Sequence, residues 1–237
     1  DRILKPLVIP LIISLAVGIA FPILMMGRFT FAGALGVTLA TWVVLTTLFG
    51  IFDRVSGRNH PLHALMTTPR GFYGMSIAHI GVAVFVVGVT MTSIYSEEKD
   101  VGIKPGESYE LGGYKFLFQG VKSVTGPNYK AERGTIEISR DGQPVTTLNT
   151  EKRDYGEGTM PMTEAGIDAG VTRDLYVALG EPIGGGSWAV RLYHKSYIRW
   201  IWFGGLFMGI GGLLAATDRR YLAEARQDQD QSGYAKA

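Results

Sequence analysis

With no cysteine in the chain, disulfides, thiolate metal sites and thiol-based electron transfer are excluded, and candidate chemistry falls first on four histidines. His79 lies in the run FYGMSIAHIGVAVFVVGVTMTSI, Phe72 to Ile94, which holds no Asp, Glu, Lys or Arg in 23 residues. At about 1.5 Å per residue, a helix of that length crosses a hydrocarbon core about 30 Å thick. A titratable side chain at such depth must face protein, a cofactor or trapped water, which makes it a functional candidate by default. Helical spacing puts Ser76 and Ala83 on its face, with Met75 and Val82 beside them. Small neighbours leave room for a flat ligand edge or a close helix. Two readings stand: an axial ligand to a buried haem, or a histidine bonding to a neighbouring helix.

The other histidines offer less. His60 and His63 are three apart, a spacing compatible with metal binding, but they flank Pro61 and have no acidic or thiol partner nearby in sequence. His194 sits beside Lys195 just before an apolar run, where an interfacial histidine is ordinarily structural and a transient ligand role is the alternative. Carboxylates are scattered, with no pair placed as an acid/base couple, and no nucleophile elbow, phosphate loop or zinc signature occurs.

The elements that must position His79 are membrane spans. Apolar residues concentrate in four blocks: about Leu7 to Met26, Phe31 to Phe52, Phe72 to Ile94 and Ile198 to Ala216. The expected fold is an α-helical membrane protein with four transmembrane helices and a small all-β domain, barrel or sandwich, inserted between helices three and four. Its parts are a transmembrane hairpin (1–52), a cytoplasmic loop (53–71), helix three (72–94), an external domain (95–197), helix four (198–216) and a cytoplasmic tail (217–237). Pro10 and Pro22 should kink or end the first helix. The stretch 53–71, with Pro61 and Pro69, reads as loop, and the polar tail from Gln227 as disordered. The pair Gly204-Gly205 with Gly209, Gly211 and Gly212, including a four-residue spacing at 205 and 209, suits close packing against another helix.

Charge gives the orientation. Residues 97–197 carry 12 basic and 15 acidic side chains, against 11 and 6 in the rest, and no polybasic face of the nucleic-acid kind appears. Cytoplasmic termini and a cytoplasmic 53–71 loop put Arg2, Lys5, Arg54, Arg58, Arg70, Arg219, Arg220, Arg226 and Lys236 inside, against Arg28 and Arg199 outside. The insert is then periplasmic in a Gram-negative cell. Tyr193, Tyr197, Trp200 and Trp202 form an interfacial belt at the outer end of helix four. In the insert, strands are expected at Glu107 to Leu111, Tyr114 to Val124, Thr135 to Arg140, Val145 to Leu148, Asp174 to Leu179 and Trp188 to Tyr193. Turns fall at Gly112-Gly113, Asp141-Gly142 and the 184–186 glycines, and residues 149–172 read as loop.

The runs GMSIAHIGVAVFVVGVTMTSIYSEEKDV, KPGESYELGGYKFLFQGV and RWIWFGGLFMGIGGLLAATDRRY resemble the C-terminal part of the CcmF family, the haem lyase subunit of bacterial cytochrome c maturation. The resemblance implies an inner-membrane protein that takes haem from a membrane haem chaperone. It would help join haem to the CxxCH thiols of apocytochrome c, delivered by thiol-reducing presentation proteins. It also implies a transmembrane haem b, reduced by quinol and serving to reduce the incoming haem; on GMSIAHIGVAV its axial ligand falls on His79, with Ser76 and Ala83 as lining. The family's tryptophan-rich loop, external histidines and partner axial ligand have no match here, so the second ligand is expected from an N-terminal portion or another subunit. By itself this chain is expected to be inactive. The competing reading is a non-catalytic membrane scaffold for maturation partners; a transporter would need paired discontinuous helices that the sequence lacks.

Overall fold

The computed structural model describes residues 5–56, 60–156, 158 and 160–218. Arg58 and the polar tail from Gln227 lie outside the described residues. The chain divides into a helical unit, up to Thr90 and again from Trp200, and a β unit, Met91–Arg199.

In the helical unit, α1 (Lys5–Met26), α2 (Phe31–Val55), α4 (Arg70–Tyr95) and α5 (Ile198–Ala216) are each long and apolar enough to cross a membrane. Thr30 caps α2 by accepting from Gly33 N at 3.1 Å. Pro10 and Pro22 sit inside α1 without ending it. A membrane helix tolerates prolines of this kind, each of which costs it one backbone bond; the Ser14 hydroxyl donates to Pro10 O at 2.7 Å, a turn back along the same helix.

The 53–71 stretch is not all loop. Pro61 opens a short helix, α3 (Pro61–Met66), because proline lacks only an N–H that the first turn would leave unpaired. The Tyr73 hydroxyl donates to Leu65 O at 2.8 Å, tying α3 to α4.

Glycines set the helix contacts. A Cβ on Gly18 would fall on Thr38 and Ala34 O, and one on Gly36 on the Thr90 side chain, so α1 packs closely on α2 and the bare Gly36 of α2 receives Thr90 of α4. Gly74, Gly81 and Gly88, seven apart along α4, press on Ala215 N and Gly211 O, on Met208 N and Gly204 O, and on Ile201 N. The α5 side of this seam is therefore Gly204 and Gly211. Gly205 and Gly209 meet no atom of the described residues within 4 Å. Seven residues are close to two turns of helix, so such a row stays on one face. At one end of the seam, Asp218 Oδ2 accepts from Gly71 N at 2.8 Å, a carboxylate on the positive end of α4.

The described residues of the β unit form a sandwich of nine strands. One sheet has the order β1 (Glu97–Ile103), β9 (Ser187–Ser196), β8 (Arg173–Gly184), β7 (Gly166–Ala169); the other runs β2 (Ser108–Leu111), β3 (Tyr114–Thr125), β4 (Lys130–Arg140), β5 (Gln143–Asp154), β6 (Met162–Glu164). All neighbours pair antiparallel. The chain changes sheet between β1 and β2 and again between β6 and β7. Alternation along β3 sends Tyr114, Phe116 and Phe118 inward against Ile136, Ile138, Leu175, Val177, Leu179, Val190 and Leu192. Asp141 and Gly142 both take positive φ, 51° and 76°, as the β4–β5 hairpin turn requires.

Three strands were not foreseen. Residues 149–172, expected as loop, contain the end of β5 and all of β6 and β7, and β1 begins in the charged run Glu97-Glu98-Lys99-Asp100. These pieces are short or carry no alternation, and they are strands only because a neighbour pairs with them. A fully buried hydroxyl bridges the sheets: Thr150 donates to Glu164 O at 2.8 Å and accepts from Leu179 N at 3.1 Å. Thr150→Val keeps the shape and strands both backbone groups, so denaturant unfolding of the sandwich should show a loss of about 1–3 kcal/mol.

Candidate functional site

His79 lies on α4 with its side chain exposed at a cleft of about 210 Å³ between α2 and α4. Thr46, Thr47 and Gly50 line it from α2; Phe72, Met75, Ser76 and His79 line it from α4. Close by, the Arg54 guanidinium lies 4.0 Å over the Phe72 ring.

The imidazole is held by its own helix, with Nδ1 2.8 Å from Met75 O. A carbonyl can only accept, so Nδ1 carries the proton and, in the neutral ring, Nε2 keeps the lone pair. This is the arrangement usual for a metal-ligating histidine, in which the second nitrogen is spent on a fixed acceptor that sets tautomer and ring direction. An exposed Nε2 donor in a cleft with no charged lining residue fits an axial bond to haem iron. Among the described residues no other histidine lines the cleft, and no group of three or more His, Cys, Asp or Glu converges to hold a metal ion.

The two residues expected to line the site part company. Ser76 does so, although its hydroxyl is spent on Phe72 O at 2.9 Å. Ala83 does not: it is 2% exposed and lies outside the cleft. On an isolated helix both flank His79, but only the turn preceding His79 borders the gap, because α2 and α4 close together at Gly36 and Thr90. Sequence reasoning missed the α2 wall. Its only local trace is a threonine pair and a glycine, Thr46, Thr47 and Gly50, in an apolar helix.

The remaining histidines are not assembled with His79. His60 and His63 stay exposed at the start of α3. His194 is a β9 residue opposite Glu97, its ring packed on Gly112 and 5.7 Å from the Tyr114 ring. Its Nδ1 is buried with no hydrogen-bond partner. Tyr114 in turn accepts from Arg140 and Arg173, each at 3.2 Å. Burial pushes the His194 imidazole below its ordinary 6.5; Glu97 pulls the other way, while Arg173 and Arg140 add to the lowering. A histidine that resists protonation when folded lets the unfolded chain bind more protons as pH falls through 6.5, so stability is full above that value and declines below it. The protection of the Gly112–Tyr114 amides against exchange, taken relative to the intrinsic rate at each pH, should therefore fall on acidification from about pH 8 to about pH 5, and His194→Phe should abolish the histidine's contribution to that dependence.

Comparison with known proteins adds the context. Residues 94–196 match the family model described as the CcmF C-terminal beta-sandwich. The cytochrome c-type biogenesis protein CcmF of Pseudomonas fluorescens is 48% identical over 90% of this chain, and that of Escherichia coli K12 is 42% identical over 93%. The chain belongs to the CcmF family. It spans about a third of those relatives' length, 32% and 33% respectively, and corresponds to the CcmF C-terminal portion. A solved structure titled Cytochrome c Heme Lyase CcmF superposes with a TM-score of 0.68 over 87% of this chain and 34% of that one, at 20% identity, which establishes the shared fold. Four apolar helices in a CcmF relative make this a multi-pass membrane protein.

Proposed function

We propose that this chain is the C-terminal part of a membrane haem lyase subunit of cytochrome c biogenesis, in which His79 is one axial ligand of a transmembrane haem b. The observation that carries the reading is the His79 imidazole, its Nδ1–H fixed on Met75 O and its Nε2 free at the α2–α4 cleft. Relatives named for cytochrome c-type biogenesis, and a fold shared with a haem lyase, supply the pathway.

The division of labour follows from the residues. Bound in the membrane, such a haem supplies a one-electron carrier. His79 binds and orients; a neutral imidazole does this without placing a full charge in the bilayer. The second axial ligand comes from the N-terminal portion of the whole protein, which the relatives possess and this chain does not span. The expected role is to keep incoming haem reduced, with quinol as donor, while the haem chaperone and the thiol-reduced apocytochrome c meet on the outer side. Basic residues at the short loops support an inner-membrane orientation with cytoplasmic termini and a periplasmic sandwich.

The test is the reduced visible spectrum of the detergent-purified protein assembled with its N-terminal portion, with His79 intact and replaced. A b-type spectrum that depends on His79 supports the proposal. Protein free of haem in both forms, with assembly confirmed, favours the scaffold reading.

A further inference from the structure

Most glycines that lie between helices here have an evident reason. At Gly18, Gly36, Gly74, Gly81, Gly88, Gly204 and Gly211, an added Cβ would collide with a neighbouring helix. Gly50 is different. It sits inside α2, where glycine weakens a helix relative to alanine, and a Cβ there would meet nothing within 4 Å. Nothing in the chain's own packing requires it. Yet it borders the same cleft as His79, beside Thr46 and Thr47.

A planar macrocycle bound through its iron to Nε2 lies across the end of the imidazole and is several times wider than that ring. It overhangs whatever stands next to the histidine. On α4 the neighbours are Met75, which can swing aside, and Ser76, which is small. The rigid obstacle is the adjoining helix, and its height there is set by the side chain at position 50. Thr46 keeps low because its hydroxyl is drawn back to Trp42 O at 2.8 Å and Val43 O at 3.2 Å.

We infer that Gly50 is a positioning residue of the haem site, the clearance on α2 that lets the macrocycle reach His79, with Thr46 and Thr47 forming the rest of that wall. This rests on the proposal that His79 ligates haem.

The experiment uses the assembled full-length protein and reads haem content, the Soret position and the reduction potential. Gly50→Leu should lower haem content by about tenfold or more, on the scale of losing an outer-shell contact of a metal site. Gly205→Leu, an equally open glycine on α5 away from the cleft, should leave it unchanged. Gly50→Ala favours the helix and meets no protein atom, so it should fold as well as the parent, with a displaced Soret band or potential. Parental haem content, Soret position and potential in Gly50→Leu would overturn the inference. If Gly50→Leu does not fold, a parental spectrum and potential in Gly50→Ala would overturn it equally. Failure of the underlying reading looks different: His79→Ala would then keep its haem whatever stands at position 50.

Discussion

Replacing His79 with alanine is expected to remove the b-type spectrum from the assembled protein and to stop cytochrome c maturation. Loss of a metal site's outer-shell partner alone costs 10–100-fold in affinity, so loss of the ligand itself should weaken haem binding by at least about 100-fold. The effect should be confined to the site. His79 is exposed at its cleft, and its one hydrogen bond is to its own helix, so the variant leaves α4 intact. Helical content should match the parent, and thermal stability should match that of the haem-free parent, since bound haem itself adds stability. Added imidazole should enter the space vacated and restore part of the absorption, which a mere packing defect would not allow. His63→Ala, on exposed α3, should keep the full spectrum. A haem spectrum unchanged in His79→Ala would move the ligand elsewhere and return His79 to a packing role.

Gly81→Leu is expected to break the α4–α5 pair. The new Cβ alone would lie 2.7 Å from Met208 N and 2.9 Å from Gly204 O, both backbone atoms that no rotamer change can move. Overpacking of this kind costs about 1–3 kcal/mol when neighbours can shift, and here a whole helix must retreat. Without water, membrane helices associate through such close contact, so little else replaces it. The thermal midpoint of the helical circular dichroism should fall, and the haem spectrum should weaken with it, since the seam fixes the rotation of α4 and thereby the direction of His79. Gly209→Leu, whose Cβ meets nothing within 4 Å, is the matched control and should leave both unchanged. Equal stability of the two leucine variants would show that the seam does not hold the pair.

The α5 glycines show where sequence reading stopped. The α5 cluster Gly204, Gly205, Gly209, Gly211 and Gly212 suits close packing, and of these Gly204 and Gly211 are the ones that meet α4. Spacing by itself cannot tell which face meets a partner. The same limit applied at His79. Spacing identified Ser76 and Ala83 as equals, and packing separated them: Ser76 borders the cleft that α2 helps to line, while Ala83 is buried outside it.

Sequence by itself determined the properties that one segment carries alone. Four apolar runs of spanning length, a single ionisable residue inside the third, alternation in β3 and an Asp-Gly hairpin are local, because length, polarity and turn geometry need no partner. The resemblance to CcmF also rests on contiguous runs. Tertiary structure decided everything that depends on meeting. It made strands of charged β1 and of short β6 and β7, brought Thr46, Thr47 and Gly50 to His79, and buried His194 against a glycine turn. Those features come from contacts between residues far apart in the chain, whose free energy belongs to the pair and is written in neither segment alone.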